Sequence, residues 1–373
     1  MLNLEIDSDE ECDTILGQIF FNKYICIRKL GQGSFGLIYE AKYKKEKYAL
    51  KFEDRKKECN LLQNEAAIMN YLKGPHIPYI KSYGITSSYN VLVMQLLGKS
   101  LENLLLERKK FSLKTVCMLG YQIINILEFI HEKHIVHRDI KPDNFVMGLD
   151  EFSDNVYLID FGLAKKYRSI NTLVQYPLIK KTKMTGTARY ASINALQGYE
   201  HSRRDDLESV GYILIYLLKG KLPWQNLNVK TKEEKYKKIL EKKIEISSRE
   251  LCSGLPDEIE EFLEHCKNLE YKERPNYDWL RRLFDNIMIR ERFHYDYFYD
   301  WTTVEEKENR KNNRIRTEPT NGDTLSYRDN EKQFNDKTFI DNSYHIERRY
   351  KTSSNNCESQ YPVVCCSSGC SIF

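Results

Sequence analysis

The chain has 373 residues, 41% of them hydrophobic and 30% charged, with a formal net charge of +4. That is long enough for a two-lobed domain with a tail. It is too weakly basic for bulk nucleic-acid binding, so no nucleic-acid partner is expected. Most of the ten cysteines stand singly, without paired C-x-x-C spacing. They read as reduced thiols of an intracellular protein, not as a disulfide framework or a zinc site. The opening residues are acidic, with no basic region of a signal peptide. No apolar run is expected to reach the roughly 20 residues of a membrane-spanning helix.

Composition divides the chain into an acidic leader (1–20), a folded domain (21–303, with a first lobe to 97 and a second from 98) and a polar tail (304–373) read as disordered. Tyr24–Leu30 has the pattern of a strand. It runs into Gly31-Gln32-Gly33-Ser34-Phe35-Gly36 and out through Leu37-Ile38-Tyr39-Glu40. Glycines between two strands suit an ordinary hairpin, and equally let backbone amides approach phosphates. Tyr48–Lys51 is a short apolar strand that ends in a lysine. The spacing then predicts a helix over 61–72 in which residues 61, 65, 68 and 72 share one face, apolar except for Glu65. A carboxylate on a buried face needs a cation. Lys51 is the candidate, and Glu53 and Glu58 are rivals to Glu65. Val91–Met94 reads as a buried strand leading into Gln95-Leu96-Leu97-Gly98. A helix is predicted over 112–131.

The stretch from His134 to Lys165 carries the chemistry. His137-Arg138-Asp139 is followed by Lys141 and Asn144, and the apolar run Val156–Ile159 delivers Asp160 to Asp160-Phe161-Gly162. Phosphoryl transfer needs such a set: one Asp to orient an attacking hydroxyl and accept its proton, a Lys to offset phosphoryl charge, and an Asn and an Asp to hold Mg²⁺. A lone Asp-Phe-Gly is usually a turn. In this order and with this spacing the two motifs resemble the protein-kinase signature. A scaffold that had lost catalysis would usually lack Lys51, Asp139, Asn144 or Asp160, and all four are present. Beyond the signature, Leu207–Leu218 is apolar nearly all round and predicts a buried central helix, with Asp206 holding the catalytic loop. Further helices are expected near 231–243, 256–267 and 277–292.

The segment Thr185-Gly186-Thr187-Ala188-Arg189-Tyr190-Ala191-Ser192-Ile193-Asn194 has Ser-Ile-Asn where most protein kinases carry Ala-Pro-Glu. Taken with Leu97–Glu102, Ser202–Ser209, Leu222-Pro223-Trp224-Gln225 and Tyr299-Asp300-Trp301, it resembles the casein kinase 1 family over about residues 20–303. The resemblance implies an α+β, bilobal protein-kinase fold with a small β-rich N-lobe and a larger helical C-lobe. It implies a monomeric Ser/Thr kinase using ATP and Mg²⁺. Leu30, the 31–36 turn, Ile38, Lys51, Met94 and Leu97 would then hold the nucleotide, Met94 behind the adenine. Asp139 would be the base, Lys141 and Lys51 with Glu65 the supporting charges, and Asn144 and Asp160 the metal ligands. Acidic or phosphorylated substrates would meet Arg189, Lys235 and the backbone near Asn226, where the family usually has glycine. Lys180, Lys181 and Lys183 make the same region basic. Arg274 resembles the lower-lobe arginine that pairs with the Ala-Pro-Glu glutamate elsewhere, and here its partner is open.

The final Cys370-Ser371-Ile372-Phe373 fits a C-a-a-X prenylation motif, with Phe pointing to geranylgeranyl. One lipid anchors only reversibly, and Cys365 and Cys366 are candidate palmitoylation sites for a second. The expected location is cytoplasmic, peripheral on the cytoplasmic face of a membrane, with a soluble or nuclear enzyme as the alternative. Thr352, Ser353 and Ser354 are candidate autophosphorylation sites through which the tail could act as a pseudosubstrate.

Overall fold

Alternating apolar positions near the N-terminus build an antiparallel sheet whose two faces do different work. In the computed structural model, which describes residues 14–33, 36–56, 61–180, 184–303 and 305, the sheet comprises β1 (Ile19–Phe20), β2 (Tyr24–Gly33), β3 (Gly36–Tyr43), β4 (Glu46–Asp54), β5 (Ile80–Ile85) and β6 (Tyr89–Gln95). Its order is β1-β2-β3-β4-β6-β5. The period of two along β4 sends Tyr48, Leu50 and Phe52 into an aromatic cluster with Phe20, Tyr24 and Tyr39. Phe20 and Phe52 meet edge-on, with ring centroids 4.7 Å apart. The same alternation turns Ala49 and Lys51 to the opposite face, where α1 (Leu61–Leu72) packs.

The α1 boundaries agree with the spacing. Its buried side chains are Leu62, Glu65, Ala66, Met69 and Leu72, so the buried stripe is turned slightly from the expected one while keeping Glu65. The sheet also starts ahead of the boundary placed at residue 21. Ile15 is buried, and Ile19–Phe20 pair with Ile25 and Tyr24. Residues 14–20 are therefore part of the fold and not of a leader.

The second lobe is helical: α2 (Leu101–Arg108), α3 (Leu113–Glu132), α4 (Ile193–Leu196), α5 (Arg203–Lys219), α6 (Lys232–Glu245), α7 (Ser248–Leu251), α8 (Asp257–Asn268) and α9 (Tyr277–Arg290). Four short strands, β7 (Ile135–Val136), β8 (Phe145–Met147), β9 (Val156–Leu158) and β10 (Lys165–Lys166), form the pairs β8–β9 and β7–β10. By length and composition α3 is apolar enough to cross a membrane, contrary to the expectation that no segment would be. Its apolarity has another cause: residues such as Val116, Leu119, Ile123, Ile126, Leu127 and Ile130 are buried, and the helix packs against α5 and α9. The central helix α5 begins four residues before the expected Leu207, where the Asp205 carboxylate caps its start by accepting from the Ser202 amide at 2.7 Å. Fourteen of its residues are buried, as the apolar run predicted. Buried thiols at Cys117, Cys252 and Cys266 belong to this lobe's core. The expectations for the tail, including its disorder and Cys365, Cys366 and Cys370, fall outside the described residues.

Candidate active site

Lys51, near the middle of β4, and Glu65, on the buried face of α1, meet because the sheet and helix pack face to face. The Lys51 Nζ lies 2.6 Å from Glu65 Oε2 and 2.9 Å from Asp160 Oδ1. Burial opposes all three charges. Glu65 and Asp160 outweigh it and hold the Lys51 ammonium above its ordinary range, while burial pushes the Glu65 carboxyl up. Glu53 is excluded as the partner, because its oxygens accept from the Leu62 amide at 3.1 Å and the Asn90 amide at 3.0 Å. Glu58 lies outside the described residues. Asp160 itself has a left-handed backbone (φ 66°), uncommon for a residue with a Cβ and frequent where a site fixes its geometry.

The catalytic loop hangs from one buried carboxylate. Asp206 accepts from the His137 amide at 2.8 Å, the Arg138 amide at 2.9 Å and the His131 ring at 3.0 Å. Burial works against its charge, and these hydrogen bonds outweigh it and hold the carboxyl below the usual range. The other ring nitrogen of His131 faces the Tyr277 hydroxyl at 2.7 Å. Asp206 only accepts, so Nε2 of His131 carries the proton and Nδ1 receives the Tyr277 hydrogen. Downstream, Lys141 Nζ sits 2.6 Å from Asp139 Oδ2, and the Asn144 side-chain amide donates to the Asp139 backbone carbonyl at 2.9 Å. Asn144 and Asp160 lie on adjacent strand ends, because the Ile159 amide donates to the Asn144 carbonyl at 3.0 Å.

The nucleotide residues follow the sheet. Gly31 pairs with Ile38, and Ile38 pairs with Lys51 across β3. At Gly36 a Cβ would sit 1.8 Å from the Phe52 carbonyl, so only glycine permits β3 to run so close to β4. Met94 pairs with Ala49 and is buried, whereas Leu30 is 40% exposed. Beyond Leu97, the Gly98 amide donates to the Met147 carbonyl at 2.8 Å, tying the inter-lobe connection to β8. Ser34 and Phe35 lie outside the described residues.

Sequence reasoning missed a residue that touches Asp139. The Thr187 hydroxyl donates to Asp139 Oδ1 at 2.7 Å. Gly186 (φ 91°) lets the chain pass there, since a Cβ would lie 2.4 Å from the Arg138 carbonyl. Three buried charged groups then moor the residues that follow. Lys243 holds the Ala191 carbonyl at 2.5 Å, Asp205 accepts from Ser192 Oγ at 2.5 Å, and Glu208 accepts from the Ile193 amide at 2.8 Å. The Lys243 ammonium lies 3.9 Å from the centroid of the Tyr212 ring. Desolvation pushes the Lys243 ammonium below its ordinary range. These contacts do locally what a glutamate–arginine pair does elsewhere. Arg274 is instead 61% exposed and bonds Glu132 at 3.0 Å and Glu128 at 3.4 Å on α3.

Of the expected anion site, Arg189 is part-buried over the Tyr190 ring, and its carbonyl accepts from Trp224 Nε1 at 2.7 Å. That bond joins the segment to the loop that carries Asn226. Asn226 has a left-handed backbone (φ 55°), a conformation asparagine tolerates better than most residues. Lys235 is exposed on the first turn of α6.

Two oxygen donors, Asn144 and Asp160, on adjoining strand ends suit a hard divalent cation that takes its other ligands from phosphates and water. The residues present therefore fit Mg²⁺ and a nucleotide triphosphate. A family model described as protein kinase domain matches residues 24–286. The match spans both lobes and every placed catalytic group, and the chain belongs to the protein kinase family.

Proposed function

We propose that this protein kinase is a serine/threonine enzyme of the casein kinase 1 type. In this reading it uses ATP and Mg²⁺ and acts on acidic or already phosphorylated proteins. The observation that carries the catalytic part is the joint placement of Lys51, Glu65 and Asp160 with Asp139, Lys141 and Thr187. The Asp139 carboxylate orients a substrate hydroxyl and accepts its proton as the oxygen attacks the γ-phosphorus. The bond from the γ-phosphorus to its bridging oxygen breaks, and ADP leaves with that electron pair. Lys141 sits where it offsets phosphoryl charge, and Lys51 is positioned by Glu65 to hold the α/β-phosphates. A metal held by Asn144 and Asp160 would neutralise charge on the phosphates when bound.

Support for the subfamily comes from Ser192-Ile193-Asn194 and from the buried groups that moor it without a glutamate. Support for an acidic substrate comes from Arg189 beside the Trp224 loop. A peptide with phosphoserine upstream of its target should be a better substrate than its unphosphorylated twin, and Arg189→Ala should shrink that advantage. An unchanged ratio would remove the primed-substrate reading.

The C-a-a-X motif at Cys370, with Cys365 and Cys366 nearby, supports a lipid tether to the cytoplasmic face of a membrane. Fractionation tests it: Cys370→Ser should move the chain from the membrane pellet to the soluble fraction. A substituted chain that stays in the pellet would oppose the tether.

A further inference from the structure

Large apolar side chains are exposed in a cluster on the segment between the Asp-Phe-Gly motif and Arg189. Ile170, Leu173, Val174, Tyr176, Leu178 and Ile179 are 41–63% exposed, Val174 the most. They are six of the eighteen large hydrophobics exposed among the described residues, gathered in ten positions. Isolated exposed apolar residues need no explanation, whereas a contiguous set marks a contact surface.

The cluster sits on a built loop. The Ser169 amide donates to the Val174 carbonyl, the Leu173 amide to the Ser169 carbonyl and the Tyr176 amide to the Tyr167 carbonyl, each at 3.0 Å. Arg168 and Gln175 form a bridge at its base, and the Gln175 side chain donates to the Tyr271 carbonyl at 2.8 Å. Residues 170–172 make the turn, and Leu173 and Val174 follow it on the return arm beside the tip, both paired with Ser169. Leu173 has a left-handed backbone (φ 57°), a costly conformation for leucine, which points to a purpose for its apolar side chain.

The charge along this segment is basic, and Glu200, whose amide donates to the Ile179 carbonyl at 2.9 Å, is buried and paired with Lys165 at 3.0 Å. Residues 161–199 contain no Asp or Glu, and Arg168 and Lys180 flank the apolar positions. We propose that the 170–179 loop is a membrane-contact surface whose apolar tip enters an anionic lipid interface while Arg168 and Lys180 meet the headgroups. An acidic protein substrate uses the cations and has no need of six exposed hydrophobics. An interface with anionic headgroups over an apolar interior uses both. The loop precedes Thr187 and Arg189 in the same segment, so this contact turns the catalytic cleft toward substrates held at the lipid surface. The contact adds to the proposed tether without depending on it, and it is tested on a chain that carries no attached lipid.

The experiment uses the full chain carrying Cys370→Ser, free of attached lipid, sedimented with vesicles of phosphatidylcholine alone or mixed with phosphatidylserine. It should pellet with the phosphatidylserine vesicles and less so with added salt. Leu173→Asn with Val174→Ser should lower that partition about ten-fold. Because asparagine relieves the backbone at position 173, the variant should keep its thermal stability and its activity on a soluble peptide. Equal pelleting on both vesicles by the Cys370→Ser chain overturns the proposal. So does an unchanged partition in the double variant. A double variant that still pellets but loses activity on a folded acidic protein would assign the loop to protein docking and equally overturn the lipid assignment.

Discussion

Thr187 hydrogen-bonds to Asp139 at 2.7 Å although the two residues are 48 positions apart in the chain. The Asp139 carboxylate is thus held from two sides, with Lys141 Nζ 2.6 Å from its other oxygen. It is oriented before a substrate arrives, which is the condition for efficient proton acceptance.

Thr187→Ala should therefore lower kcat about ten-fold or more with little change in the KM for ATP, since Lys51 and Asp160 are untouched. Thr187→Ser keeps the hydroxyl and should recover most of the rate. Steady-state kinetics on the three proteins decides it. An alanine variant with parental kcat would reduce the contact to packing.

The fold also carries a specific pH dependence. His131 is buried between Asp206 and Tyr277, and burial lowers its pKa below the ordinary 6.5. Below pH 6.5 the unfolded chain takes up a proton that the native ring refuses. Stability is present above that pH and is lost as the pH falls toward the native pKa. The loss approaches about 1.4 kcal/mol per pH unit for this one group. In His131→Gln the acid-side fall in Tm should be shallower than in the parent, although its stability at neutral pH is lower. Parallel Tm–pH curves would show that His131 titrates alike in both states.

What could be read in the sequence was set by local pattern. Lys51, Asp139, Lys141, Asn144 and Asp160 stand in motifs with fixed spacing, and Glu65 followed from one polar residue on an apolar helical face. That face already favoured Glu65 over Glu53, and the structure adds the reason Glu53 is not free for Lys51: it caps α1 through the Leu62 amide. The moorings of residues 191–193 could not be read in advance. Lys243 is one of several lysines in the polar helix α6, and nothing in the sequence marks it as the buried one beneath Ala191. The partner of Arg274, left open by the sequence, is Glu132 at 3.0 Å with Glu128 at 3.4 Å. An arginine at a familiar position here lies on the outer face of α3, since Lys243 and Glu208 already hold the segment.

The central claim is that Asp139 accepts the proton of a protein hydroxyl during transfer of the ATP γ-phosphate. The most direct measurement is the rate of ³²P transfer from labelled ATP by the purified chain and by Asp139→Asn, with phosphoamino-acid analysis of the product. Asparagine keeps the size of the side chain and can still accept from Thr187 through Oδ1, but its amide nitrogen cannot accept from Lys141 or take the proton. The account expects label on serine and threonine by the parent and a loss of several orders of magnitude in the variant, with ATP binding retained. Transfer by Asp139→Asn at the parental rate would contradict it.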